Sequence, residues 1–182
     1  AAGLKFLTEK EDFDYAILMD GDGEDRPEEL TVLHNKSNEN PLKTVTADRI
    51  ERSEGFFFKL LYECHKILTY VFTGKLVKFG NFTCLPKKEA TRLVQEACLW
   101  SSFSGSITKI IFDRVSVPSI RGKRYFDPSQ MNFFKLLVHS FSIIAVFKRS
   151  AMVRSVLFLI FYLFFIYNNI SIIALFPALA VF

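Results

Sequence analysis

Asp20 and Asp22 are the residues of this chain whose type and spacing are best suited to chemistry. Only Gly21 separates them, and the short apolar run Tyr15-Ala-Ile-Leu-Met19 leads into them. Such a run reads as a buried strand, and a strand of an open α/β sheet delivers its last residues to the carboxyl edge, where ligands bind. Two carboxylates placed there can hold a hard divalent cation, Mg²⁺ or Mn²⁺, against a diphosphate. The pattern therefore suggests nucleotide-sugar or other phosphate chemistry.

Other uses fit less well. An EF-hand loop beginning at Asp20 needs Gly at its sixth position and Glu at its twelfth, where this chain has Asp25 and Thr31. A haloacid-dehalogenase-type phosphatase wants Thr or Val two residues after the second Asp, where Glu24 stands. A charged, solvated turn stays open as a purely structural use. Pro27 can open a helix with Glu28 and Glu29 in its first turn, an arrangement the helix dipole favours.

Two basic groups are candidates for holding phosphate. Arg49 and Arg52 are three apart, so a helical turn would set both on one face, where guanidinium groups match phosphate oxygens bidentately. Surface pairing with Asp48, Glu51 and Glu54 is the alternative. Arg121, Lys123 and Arg124 form the second group, with a solvated basic loop as its alternative.

The elements that must position these residues can be placed coarsely. Glu28 to His34 reads as helical, Asn35 to Pro41 as a loop and Lys43 to Ala47 as a short strand. Glu54 to Phe72 carries Phe57, Leu60, Leu61, Cys64, Leu68 and Val71 at helical spacing. Leu76 to Leu85 reads as a strand region, and Pro86 can start a helix over Lys87 to Cys98. Ile107 to Val117 reads as extended, with Pro118 ending it.

Half of the 182 residues are hydrophobic, and 21 are Phe. From Met131 onward acidic residues vanish, and the basic ones thin to Lys135, Lys148, Arg149 and Arg154. Asn132 to Phe147 is an amphipathic helix candidate suited to the headgroup plane; His139 on it reads more readily as a packing residue than as a ligand. Ala151 to Tyr167, with Arg154 snorkelling outward, approaches the length of a membrane span. Asn168 and Asn169 then read as a turn, and Ile170 to Phe182 as the start of a second apolar helix. Lys148, Arg149 and Arg154 place the start of the first span on the cytoplasmic side. The net charge of +4 and its clusters suit phosphates and anionic headgroups better than a nucleic-acid groove, so no nucleic-acid partner is expected. Cys64, Cys84 and Cys98 lack metal-ligand spacing and read as free thiols.

Four segments, in order, resemble family 2 glycosyltransferases, in the branch near dolichol-phosphate mannose synthase and the bacterial polyprenyl-phosphate glycosyltransferases. Met19-Asp-Gly-Asp-Gly-Glu-Asp-Arg-Pro-Glu28 resembles the Asp-x-Asp segment. Arg49-Ile-Glu-Arg52, followed by Phe58-Lys59 and Tyr62, resembles the Arg-x-x-Arg segment and the helix after it. Gly80-Asn-Phe-Thr-Cys-Leu-Pro86 resembles the acceptor-side strand, and Arg121-Gly-Lys-Arg124 through Ser129-Gln-Met-Asn132 resembles the basic segment ahead of the membrane part.

The resemblance implies a GT-A-like α/β fold: a mixed, mostly parallel sheet with helices on both faces, followed by transmembrane helices. It divides the chain into residues 1–128 as the C-terminal part of a catalytic domain, 129–150 as a juxtamembrane helix, and 151–182 as a truncated transmembrane hairpin. Ala1 to Leu7 reads as the end of a helix, so the family's first βαβ unit is expected upstream and the chain is expected to be a fragment. Asp20 and Asp22 would be the metal ligands. Arg49, Arg52, Arg121 and Lys123 would bind the donor phosphates, with Arg124 meeting the acceptor. Asn81, Ser129 and Gln130 would line the acceptor side.

Three departures bear on activity. Asn81 stands where relatives often have Asp, and an amide cannot act as a general base. A phosphate acceptor does not need one, because its second pKa of about 6 leaves it largely ionised at pH 7. Asp127 and Gln130 replace a Gly and a Lys, which lowers the positive charge of the basic loop. The expected reaction is inverting transfer of a hexose from a nucleoside-diphosphate sugar to a polyprenyl phosphate at the cytoplasmic membrane face. A carbohydrate hydroxyl acceptor and a non-catalytic membrane scaffold are the alternatives. Self-association into a homo-oligomer is compatible with either.

Overall fold

The computed structural model describes residues 1–51, 56–126 and 132–167. Four strands form one mixed sheet in the order β1-β3-β2-β4, where β1 is Tyr15–Leu18, β2 Thr44–Glu51, β3 Phe79–Pro86 and β4 Arg114–Ile120. β3 runs antiparallel to both of its neighbours, while β2 and β4 are parallel. Parallel pairing is thus the minority among the described strands, contrary to the mostly parallel sheet expected. The insertion of β3 between β1 and β2 is the reason. β1, β2 and β4 nevertheless share one direction, so their carboxyl ends and the amino end of β3 meet at the same sheet edge.

Both faces of the sheet are covered. β3 alternates strictly, as a strand buried on both sides must. Phe79 and Leu85 face one core with Leu4 of α1 (Ala2–Lys10), Ala90 and Leu93 of α4 (Lys87–Val94), and Ile107 and Ile110 of α5 (Phe103–Ile110). Phe82 and Cys84 face the other core with Leu33 of α2 (Leu30–Glu39), Val45, Ala47 and Val117. The three cysteines are free thiols, as expected.

Two expectations change here. The segment from Ile107 does not begin extended. Ser102 caps α5 by accepting from the Gly105 N–H at 3.2 Å, and the small residues Ser104, Gly105 and Ser106 let the helix lie buried against the sheet. The strand starts only at Arg114 and runs through Pro118 rather than stopping there. β4 is the edge strand, where a missing N–H costs no ladder bond on the open side. The expected loop from Asn35 is helical to Glu39, as the last turn of α2.

The apolar part begins with α3 (Phe56–Thr73), which packs against α6 (Phe133–Val146) and α7 (Lys148–Ile166). α6 matches the amphipathic helix expected, capped by Asn132, whose side chain accepts from the Lys135 N–H at 2.9 Å. α7 has 19 residues, none buried, and a mean hydropathy of 1.8, so it is long and apolar enough to cross a membrane. Arg154 does not simply reach outward. It turns to the end of α3 and donates to the Val71 carbonyl at 3.2 Å, beside Gly74 at φ +70°. The turn at Asn168 and Asn169 and the second apolar helix lie outside the described residues.

Candidate functional site

The loop after β1 is folded by its own carboxylates. Asp25 is buried and accepts from the Asp20 N–H at 2.8 Å, while Asp22 accepts from the Glu24 N–H at 3.0 Å. Gly23 permits this turn. Its φ is +89°, and a Cβ there would stand 2.9 Å from the Tyr125 ring. Gly21, the glycine between the two aspartates, has open space around it.

The basic loop after β4 lies directly on this acidic loop. Gly122 N–H donates to the Glu24 carbonyl at 2.8 Å and Tyr125 N–H to the Asp22 carbonyl at 2.9 Å. The approach is close enough that a Cβ on Gly122 would collide with the Gly23 carbonyl oxygen. The side chains complete the match. Glu24 accepts from Arg124 Nε at 2.9 Å and from Arg121, and Arg124 also meets Asp22 at 3.2 Å. Glu29 fixes the end of β4 through Ser119 Oγ at 2.6 Å and the Ile120 N–H at 3.0 Å. It therefore does more than favour a helix dipole.

A cavity of about 260 Å³ opens at the shared sheet edge. Asp20 borders it from the loop after β1, Arg49 from β2, Lys78 from just ahead of β3, and Phe79, Gly80 and Asn81 from the start of β3. Arg121 and Arg124 come from the loop after β4, Ser104 from α5, Tyr62 from α3, and Leu136 and His139 from α6. Asn81 donates to Asp20 Oδ1 at 2.9 Å, which orients that carboxylate. Arg49 Nη2 lies 3.9 Å from Asp25 and close over Gly80, where a Cβ would stand 2.6 Å away.

Of the predicted site residues, the fold brings Asp20, Arg49, Asn81, Arg121 and Arg124 to one cavity. Asp22 does not border it and is bound instead to Arg124 and the Glu24 N–H. Lys123 is exposed and does not border the cavity, because Gly122 docks between it and Arg121 and turns it to solvent. Arg49 lies in β2, not on a helical turn, since that strand continues four residues past Ala47. Among the described residues Arg49 pairs with Asp25. Arg52, Ser129 and Gln130, with Asp127, lie outside the described residues.

Glu24 and Asp25, which the sequence does not single out as site residues, belong to the site, and His139 borders its cavity. The alternation of acids and glycines at Asp20, Gly21, Asp22, Gly23 and Glu24, set against a basic cluster a hundred residues on, was the available signal for Glu24. Burial raises the Asp25 carboxyl above the usual Asp range, opposed by the Asp20 N–H and by Arg49. Arg121 is lowered first by burial and then by the neighbouring charge of Arg124. The His139 pKa is lowered by burial and then by Arg49, which favours the neutral imidazole, although the residue as a whole keeps an exposed face.

Among the described residues no cluster of three or more His, Cys, Asp or Glu side chains could hold a metal by itself. Asp20 could meet a cation shared with a diphosphate, whereas Asp22 already meets the Glu24 N–H with one oxygen and Arg124 with the other. Only one Asp20 oxygen is engaged, by Asn81, and each carboxylate oxygen keeps a second lone pair. Mg²⁺ in particular takes one or two carboxylates and completes its shell with phosphate oxygens and water.

Compared with known proteins, the chain matches no family model and no curated protein.

Proposed function

We propose that this chain carries part of the active site of an inverting glycosyltransferase, which moves a hexose from a nucleoside-diphosphate sugar to a polyprenyl phosphate at the cytoplasmic membrane face. On this reading the sheet belongs to a GT-A-like domain anchored by α7. One observation carries the reading: the cavity that joins Asp20 to Arg49, Arg121 and Arg124 is also bordered by α6, the amphipathic helix that leads into α7. A site with a carboxylate, three guanidinium groups and a wall from such a helix suits two phosphate-bearing substrates, one soluble and one lipid-borne.

In the reaction an oxygen of the acceptor phosphate attacks the anomeric carbon from the face opposite the diphosphate. The new C–O bond forms as the bond to the diphosphate oxygen breaks, and the nucleoside diphosphate leaves with that electron pair. The acceptor is already ionised, so no base is required, which accords with an amide at position 81. A Mg²⁺ or Mn²⁺ held by Asp20 and Asp22 would neutralise charge on the leaving diphosphate. Asn81 holds the Asp20 carboxylate in place. Arg121 and Arg124 face the departing charge and the arriving phosphate, and guanidinium suits both because it binds phosphate bidentately.

Radiolabelled nucleotide sugars supplied to membranes holding the full-length protein test this. Label that extracts into organic solvent and is released as sugar by mild acid is the expected result. Label confined to water-soluble glycans would replace the lipid phosphate with a hydroxyl acceptor.

A further inference from the structure

We propose that His139 contacts the acceptor, donating a hydrogen bond from its imidazole to the phosphate that enters from the membrane side; this rests on the reading of the cavity as a site for an acceptor phosphate. α6 sends two residues to the cavity, Leu136 and His139, three apart and so on one face of the helix. Leu136 is apolar and buried, which leaves His139 as the polar group α6 contributes.

The ring is fixed from behind. It packs on His65 of α3 with centroids 5.4 Å apart and planes tilted by 30°. His65 is itself held by Ser140, whose Oγ lies 2.6 Å from Nδ1, and it packs on Tyr62 with centroids 5.2 Å apart. Tyr62, His65 and His139 thus form an aromatic seam that joins α3 to α6, and Tyr62 and His139 border the cavity from it. Among the described residues nothing hydrogen-bonds the His139 ring, in contrast to Arg121 and Arg124, which Glu24 engages.

The chemistry of the occupant follows from the surrounding charge. Arg49, Lys78, Arg121 and Arg124 border the cavity together with the Asp20 carboxylate, and Asp22, Glu24 and Asp25 pair with the three guanidinium groups, which leaves the Lys78 ammonium and the His139 ring as the basic groups on the cavity that no described carboxylate engages. An imidazole offers at least one N–H whatever its charge, and a phosphate oxygen is its natural acceptor in such a field. Either substrate could supply that oxygen. The position on α6 assigns it to the lipid rather than to the donor, which the strand edges and the Asp20 loop receive.

Two variants separate contact from support. His139→Phe keeps an aromatic ring against His65 and removes the donor, and His139→Gln restores a donor without the ring. With polyprenyl phosphate as acceptor, His139→Phe should raise the acceptor KM about tenfold, as expected for loss of a hydrogen bond to a charged group. The donor KM should stay within about twofold, and His139→Gln should recover most of the acceptor affinity. An unchanged acceptor KM in His139→Phe overturns the proposal, and so does an equal rise in the donor KM, which would assign the ring to the diphosphate. Binding of farnesyl phosphate to the full-length protein in detergent, read by calorimetry against farnesol, decides the matter without turnover. A preference for the phosphate that His139→Phe abolishes supports the proposal even if no sugar transfer is found; a preference it leaves intact, or none in the unmodified protein, overturns it.

Discussion

The Glu24 carboxylate accepts a hydrogen bond from Arg124 Nε at 2.9 Å, across a hundred residues of sequence. This contact, with the one from Arg121 to the same carboxylate, joins the loop after β1 to the loop after β4 and so makes one site of two strand ends. Two guanidinium groups around one carboxylate also resemble the seat of a phosphate.

Replacing Glu24 by Gln should therefore act in two ways. Arg121 and Arg124 would repel each other without their shared anion. The loss should amount to about 1–3 kcal/mol of stability, as for a charged hydrogen-bond partner removed from a mostly buried position. It would appear as a lower thermal midpoint in detergent. Inorganic pyrophosphate should restore more of that midpoint in the variant than it adds to the unmodified protein, because the anion takes the vacated place. Equal shifts in both proteins would mean that the arginines do not bind phosphate from this position.

His139 predicts a pH dependence. Its native pKa lies below the ordinary 6.5, from burial first and the charge of Arg49 second. As pH falls through 6.5, the unfolded chain takes up a proton before the folded one does, so stability falls with pH until the native pKa is passed. The ring faces Arg49 from β2, Tyr62 and His65 from α3, Lys78 and Asn81 at the start of β3, Arg121 and Arg124 after β4, and Asp20 after β1. Subtracting the stability profile of His139→Gln isolates its share from theirs. The difference should change on acidification below pH 6.5 and hold a constant value well above it. A flat difference would show that the ring titrates alike in both states.

Arg154 ties α7 to α3. It donates to the Val71 carbonyl at 3.2 Å, and Ser150 donates to the Thr73 carbonyl at 3.1 Å, so α7 satisfies the last turn of α3. Arg154→Ala should cost about 0.5–1.5 kcal/mol, the usual worth of such a bond. Amide exchange should rise at the end of α3 and not in the sheet. Uniform exchange across the chain would instead place Arg154 among residues that only meet solvent or headgroups.

How far the sequence could be read depended on whether the deciding force was local. The strand before Asp20, α3, α6 and α7 carry apolar residues at their own period, and each appears close to its expected limits. The segment from Phe103 to Ile110 does not announce itself, because Ser and Gly are weak helix formers and only burial of Ile107 and Ile110 against the sheet makes them helical. Pro118 looked like a terminator because edge and interior strands cannot be told apart before the pairing is known. The site follows the same division. Asp20 and Arg124 stand out by type and spacing, whereas Glu24 gains its meaning from loops brought together by the sheet. His139 was discounted because a lone histidine on an apolar helix gives no sign of the cavity it borders.

The arrangement makes its sharpest prediction for Asp22 and Arg124 taken together. Asp22 accepts the Glu24 N–H through one oxygen and meets Arg124 through the other. Asp22→Asn keeps an oxygen for the first contact, so the loop should fold and the thermal midpoint should move little. If Asp22 also shares a cation with the donor diphosphate, metal-dependent transfer should be abolished in the full-length protein. Arg124→Ala should leave metal dependence intact and lower use of the lipid acceptor roughly ten- to a hundredfold, the worth of one charged hydrogen bond. The two variants thus separate on a metal titration: the first fails at every concentration of Mg²⁺ or Mn²⁺, and the second keeps the half-saturating concentration of the unmodified protein. Full turnover in Asp22→Asn would remove the metal from this loop and leave Asp22 as the partner that orients Arg124.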